Sequence, residues 1–246
     1  MEALVRAAAE FVVADLDLVT EPAALAAAQR SLDESGLLLL GEAHGVRENP
    51  LLIRALLQAF GLTSLALEWP DDLVPVIGTF LAGGTLADHP LLWPGDGRIT
   101  AGHLAVLAER AAAGPLEVIL FDGTMGLGWD WSQHGEAMAG RILAGSAAGS
   151  GTLAVAGNAH TPTSHTDLGV PLGAYLARRR PGVREISINY GGGSFYNLQP
   201  RQFRRISPRR RQIRLYQQRD MLVLELPSAT EAVVPQRRPL PARKAP

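Results

Sequence analysis

Short, unbroken apolar runs alternate along this chain with stretches in which apolar residues recur at helical spacing. That order predicts parallel strands, buried on both faces and joined by helices. The runs at 37–40, 65–67, 117–121, 153–156, 184–190 and 221–226 read as strands. Helical spacing covers 2–14, 22–34, 51–60, 100–113, 136–143 and 171–180. Pro22 and Pro50 stand near helix starts, where the amide hydrogen that proline lacks has no intrahelical partner, and Gly36 and Gly61 stand where helices stop. Between 70 and 98 the periodicity is broken by proline, glycine and Trp93-Pro94-Gly95-Asp96-Gly97, so this stretch reads as a substrate-covering loop or small cap. The expected fold is α/β, a single domain over 1–226 with a central, mostly parallel sheet flanked by helices. N-terminal helices occupy 1–36, and a flexible Pro/Arg-rich tail follows at 227–246.

Two of the runs close on the same pattern, Gly41-Glu42-Ala43-His44 and Gly157-Asn158-Ala159-His160. Glycine at a strand end serves a sharp turn or a close backbone approach. Each histidine then falls just beyond the carboxyl end of a strand, where ligands bind in open α/β sheets. The run at 65–67 ends in Glu68 and the run at 117–121 in Asp122. The candidate catalytic set is therefore Glu42, His44, Glu68 and His160, with Arg47, Arg98, Asp122 and Asn158 as candidate substrate-binding residues.

Composition limits what this set can do. With 47% hydrophobic and 19% charged residues over 246 positions, the chain can bury a full domain core. It has no cysteine, so thiolate nucleophiles, disulfides and Cys-ligated metals are excluded. No G-x-S-x-G elbow is present, which leaves attack by an activated water as the simpler hydrolytic chemistry. Imidazole suits that task because its pKa lies near neutrality. Glu42 or Glu68 would orient it, and the other histidine, Arg47 or Arg98 would stabilise the oxyanion. Glu42 lies inside the first tetrapeptide and Asn158 holds the matching place in the second. This assigns proton transfer to His44 and positioning or charge stabilisation to His160. The same groups also satisfy the ligand needs of Mn, Co or Zn, and sequence leaves that alternative open. His89, His103, His134 and His165 read as bystanders, Asp122 equally as a turn cap, and Trp93, Trp129 and Trp131 as edge packing or cleft lining.

Charge is unevenly spread. Residues 1–177 hold 7 Arg against 20 acidic residues, whereas 178–246 hold 16 basic and 4 acidic ones. Without aromatic interleaving or a binding motif, this reads as a basic C-terminal third neutralising an acidic body, and nucleic acid is not expected as a partner. The start lacks the features of a signal peptide and no window has membrane-spanning length, so the expectation is a cytoplasmic protein. Its partner would be a small-molecule or peptide substrate.

The segments Leu37-Leu38-Leu39-Leu40-Gly41-Glu42-Ala43-His44-Gly45, Leu65-Ala66-Leu67-Glu68 and Ala156-Gly157-Asn158-Ala159-His160-Thr161 resemble the superfamily that unites erythromycin esterases, Tiki/TraB proteases and ChaN-like haem-binding proteins. Glu136-Ala137-Met138-Ala139-Gly140-Arg141-Ile142 looks like the helix that precedes the second histidine strand in the esterase branch. The resemblance implies an α/β core with the polar cluster at one sheet edge. In the esterase branch, and in related toxin peptidases, it implies metal-independent hydrolysis of an ester or amide. There a histidine matching His44 activates water, helped by residues matching Glu42, Glu68 and His160. Tiki proteases are instead metal-dependent, and ChaN-like proteins are associated with haem. Erythromycin esterases are longer, so their macrolide substrate does not carry over. Tiki proteases usually begin the first motif with Gly-Thr, so Glu42 favours the esterase-like chemistry, with no cofactor required.

Overall fold

In the computed structural model, which describes residues 2–93, 95–123, 130–146, 151–204 and 212–232, the leucine run 37–40 lies at the centre of a sheet and is fully buried. The chain order begins with α1 (Glu2–Glu10), β1 (Leu18–Thr20), α2 (Pro22–Ser35), β2 (Leu37–Glu42), α3 (Asn49–Ala59), β3 (Ser64–Pro70) and α4 (Val74–Leu81). It continues with α5 (Ala101–Ala113), β4 (Glu117–Asp122), α6 (Trp131–Gly145), β5 (Thr152–Gly157), α7 (Leu172–Arg179) and β6 (Arg184–Tyr190). The last elements are β7 (Ser194–Asn197), β8 (Gln199–Gln202), β9 (Ile213–Gln218) and β10 (Met221–Leu226). Eight strands form one sheet in the order β1-β9-β10-β6-β2-β5-β3-β4, and β7 and β8 form a separate hairpin. The six strands from β10 to β4 are parallel; β9 joins β10 antiparallel, and β1 pairs with β9 in parallel at the far edge. This is the single-domain α/β architecture that the sequence predicts.

Alternation along each strand divides the core between the two faces of the sheet. Leu38, Leu40, Leu65, Leu67, Leu153 and Val155 pack with α2, α3 and α5, through Ala24, Leu56 and Leu104 among others. Leu37, Leu39, Ala66, Ala154 and Ala156 face α6 and α7, where Met138, Ile142, Leu172 and Leu176 are buried. Burial on both sides is why these strands are apolar without a break. Each buried leucine contributes about 1.5–3 kcal/mol relative to exposure. Pro22 begins α2, and Gly36 closes it with φ 70° and an N–H donated to the Leu32 carbonyl.

Several expectations are corrected. Helix α1 stops at Glu10 rather than at residue 14. The stretch 70–98, read as loop or cap, contains α4, with Pro75 in its first turn, and two short 3-10 turns. Strands β1, β7, β8 and β9 were not anticipated, because edge and hairpin strands bury few side chains; in β8 every residue is exposed. Residues 227–232 are packed rather than free. Ala229 and Ala232 are buried, the Arg47 N–H donates to the Thr230 carbonyl, and the Ala232 N–H donates to the Gly45 carbonyl. The remainder of the expected tail, 233–246, lies outside the described residues. Among the described residues, no helix is long and apolar enough to cross a membrane.

Candidate active site

Strands β2 and β5 are hydrogen-bonded neighbours with Gly41 opposite Ala156 and Glu42 opposite Gly157, so both tetrapeptides leave the sheet side by side. β3 flanks β5, and β4 flanks β3. The pairing of β3 with β4 shifts between Leu67 and Pro70, so that Glu68 and Trp69 together oppose Phe121. A bulge of this kind re-aims side chains, and here it accompanies a Glu68 carboxylate directed at β5. Its Oε2 accepts the Gly157 N–H at 2.7 Å.

Around Glu68 the candidate residues converge. His44 Nδ1 lies 3.1 Å from Glu42 Oε1, and its Nε2 faces Glu68 Oε1 at 3.9 Å. His160 Nε2 approaches the same oxygen at 3.8 Å, and an Arg98 guanidinium nitrogen at 3.6 Å. These three separations are ion-pair distances, too long for direct hydrogen bonds. Arg98 also binds Asp96 at 2.6 Å and Asp122 at 2.5 Å. His134 Nε2 lies 3.3 Å from the other oxygen of Asp122. The His160 ring stacks on the Trp131 indole, with centroids 4.2 Å apart and planes 12° from parallel.

Electrostatics gives the two histidines different characters. Burial disfavours a charged His44, but the Glu42 hydrogen bond and the Glu68 charge outweigh it, and its pKa is raised above 6.5. For His160 burial wins over the attraction of Glu68, so its pKa is lowered and the ring is neutral near pH 7. Glu68 stays ionised although buried, because His44, His160, Arg98 and the Gly157 N–H together overcome desolvation and hold its pKa below the usual value. Burial pushes the Asp122 carboxyl up against the opposing pull of Arg98. The Glu42–His44 pair thus orients an imidazole whose Nε2 is presented to the cluster, the geometry of a general base.

The structure assembles Glu42, His44, Glu68 and His160, and with them Arg98 and Asp122. Asp122 ion-pairs with Arg98 and has His134 Nε2 beside its other oxygen. Arg98 is held by three carboxylates, which makes it a counter-charge within the wall rather than a group held open for substrate. Asn158 joins through its backbone, its N–H donating to the Glu42 carbonyl at 2.9 Å, while the residue is exposed. Arg47 is not brought in. It is exposed, lies 5.8 Å over the Phe11 ring, and lines a separate cavity of about 420 Å³ with Glu10, Thr100 and Glu231.

Two residues read as bystanders belong to the site. His134 enters through Asp122. His103, buried on α5, lines with Glu42, His44, Glu68, Trp69 and Arg98 a small cavity offering about 10 Å³ to the centre of a water-sized sphere. Neither carries a sequence signal, since a polar residue on a helix face gives no hint of which sheet edge it meets. His89 accepts the Leu91 N–H and His165 is exposed. Trp131 lines the cluster, Trp93 binds Asp88 at 3.0 Å, and Trp129 lies outside the described residues.

The two strand-end glycines serve close approach. A Cβ on Gly157 would lie 3.1 Å from His44 Nε2 and 3.5 Å from Glu68 Oε2. A Cβ on Gly41 would come within 2.4 Å of Thr161 Oγ1, next to His160. Each glycine therefore makes room for the histidine segment of the other tetrapeptide. Among the described residues no three His, Asp or Glu side chains are arranged to hold a metal ion, and the Arg98 guanidinium occupies the cationic place beside Glu68.

No protein-family model matches the chain, and no curated protein matches it in sequence. Likeness appears in solved structures. A protein described as a succinoglycan biosynthesis protein aligns with TM-score 0.63 and 11% identity, covering 95% of this chain and 98% of its own. The type III effector HopBA1 aligns with TM-score 0.51 and 18% identity, covering 85% of this chain and 92% of its own. At these identities the likeness shows a shared fold, an α/β sheet flanked by helices, and that is what the comparisons establish for this chain.

Proposed function

We propose that the chain is a hydrolase that cleaves an ester or amide bond in a small molecule or peptide with a histidine-activated water. The observation that carries this reading is the Glu42–His44 contact at 3.1 Å, which leaves His44 Nε2 facing Glu68 and His160 at the strand-end edge. Neutral His44 takes a proton from water at Nε2 while the water oxygen bonds to the carbonyl carbon. Glu42 stabilises the imidazolium that forms, and Glu68 strengthens the base electrostatically. Neutral His160 offers a ring N–H to the developing oxyanion. As the bond to the leaving group breaks, His44 returns its proton to the departing oxygen or nitrogen. The resemblance of the three motif segments to the esterase branch supports the same roles. Arg98 favours the reaction without a metal, because an added cation beside Glu68 would meet a guanidinium already there.

A panel of chromogenic esters and amides, run after metal depletion, tests the proposal. Turnover is expected to persist in chelator and to fall by about 10²–10⁴ in His44→Ala, the range of a lost general base. Turnover unchanged from wild type in both His44→Ala and Glu68→Ala, each folded, would refute the site. Activity restored only by Mn, Co or Zn would replace the metal-free mechanism with a metal-dependent one, and a haem absorption band lost on His44→Ala would favour a haem-binding role.

A further inference from the structure

His103 has no part in the steps above, yet it is 4% exposed and shares the wall of the small cavity with Glu42 and His44. Its Nδ1 lies 2.9 Å from Thr100 Oγ1, and Thr100 Oγ1 also accepts the His103 backbone N–H at 3.3 Å as the N-cap of α5. The hydroxyl has one proton to give, and Nδ1 is the acceptor beside it. The tautomer with its ring proton on Nε2 is the one in which the hydroxyl gives this proton to Nδ1. Trp69 packs edge-on against the ring at 5.9 Å and donates its own N–H to the Arg98 carbonyl at 2.9 Å, which fixes the ring from the other side. Within the same group Glu42 Oε1 is engaged by His44, while Oε2 is buried without a hydrogen-bond partner. A buried carboxylate oxygen left unpaired is costly, so it calls for a donor. The cavity has room for one water, and Glu42, His44, Glu68, Arg98 and His103 supply polar groups to a wall that Leu67, Trp69 and Val155 complete.

We infer that His103 is a positioning residue for the proposed hydrolysis: through one water in this cavity its Nε2–H holds Glu42 Oε2, so that Glu42 Oε1 stays on His44 Nδ1. The inference rests on the reading of His44 as the base, and it extends the orienting chain to Thr100–His103–water–Glu42–His44. Burial keeps the His103 imidazole neutral, and Glu42 opposes that effect only in part, so the residue acts as a fixed donor and does not titrate alongside His44. Among the described residues, the charged or titratable groups facing His44 are Glu42 from β2, Glu68 from β3, Arg98 ahead of α5, His103 from α5 and His160 beyond β5.

The test is a pH series of long-range proton–nitrogen spectra of the histidine side chains in the full chain, for wild type, His103→Gln and His103→Phe. Hydrolysis is measured alongside on any ester the wild type turns over. Wild-type His103 should show the neutral Nε2–H tautomer. In His103→Phe the lost donor leaves Glu42 pulling harder on the His44 proton. The His44 midpoint should rise by about half a pH unit, with kcat down about tenfold and KM little changed. His103→Gln, whose amide can donate in place of Nε2–H, should return both toward wild type. An Nδ1–H tautomer in the wild type, or an unmoved His44 midpoint in both variants, would overturn the inference. The tautomer and midpoint readings stand without turnover, so a failure of the hydrolase reading is distinguishable from a failure of the His103 role.

Discussion

Glu68 is tied to the backbone of Gly157, whose N–H donates to the carboxylate at 2.7 Å. The carboxylate at the end of β3 is thereby pinned to the glycine that opens the second tetrapeptide, midway between the two imidazoles. Glu68→Gln keeps an acceptor for that N–H but removes the charge that helps to hold the His44 pKa up. The expected outcome is a folded protein with a lower His44 midpoint by NMR titration and a kcat reduced by about tenfold or more. An unshifted midpoint would show that Glu68 does not govern His44.

The pH–rate profile should rise with pH, because the base must be neutral, and its midpoint should lie above 6.5, in keeping with the raised His44 pKa. Stability has the opposite slope in that window. Folding favours protonated His44, so its contribution is complete below the unfolded value of 6.5 and is lost as pH rises through the higher folded value. A Tm series from about pH 6 to about pH 9 should decline for wild type more than for His44→Gln, and parallel curves would contradict the assignment.

Arg98 is the counter-charge for Glu68, Asp96 and Asp122. Its removal leaves three partly or wholly buried carboxylates facing one another. Arg98→Ala should lower stability by roughly 2–4 kcal/mol in urea unfolding, discounted from a fully buried pair because the guanidinium is partly exposed. A loss below about 0.5 kcal/mol would mean that the cluster is solvated like a surface ion pair.

Glycine replacement should separate the two tetrapeptides. Gly157→Ala places a methyl 3.1 Å from the His44 ring, so activity should fall with little change in Tm. Gly41→Ala drives a methyl into buried Thr161, whose hydroxyl donates to Glu185 at 2.6 Å. That variant should lose about 1–3 kcal/mol as well as activity. Thermal melts and turnover on one preparation check both, and a stable, fully active Gly41→Ala would show that the Thr161 segment can give way.

Particular residues show why part of the site was legible. The parallel strands are visible in sequence because burial on both faces demands uninterrupted apolar runs such as Leu37 to Leu40, and the motifs follow them directly. Strand β9 was not visible, because among its residues only Leu215 is fully buried and the alternation is too weak to stand out. His103 and His134 sit at helix positions with no local sign of function. Arg47 is close to His44 in sequence yet turns toward Phe11, since the chain leaves the sheet edge within a few residues.

By itself the sequence determined the α/β class, the positions of the six strands from β10 to β4 and the pairing of Gly41 with His44 and Gly157 with His160, because hydrophobic period and strand-end chemistry are local properties. Only the tertiary structure decided that β5 inserts between β2 and β3. It also decided that a bulge in β3 accompanies a Glu68 turned onto Gly157, that Arg98 closes on three carboxylates and that His103 faces Glu42. Those relationships depend on which distant elements pack together, and that choice rests on shape and charge across the whole sheet, which no window of neighbouring residues contains.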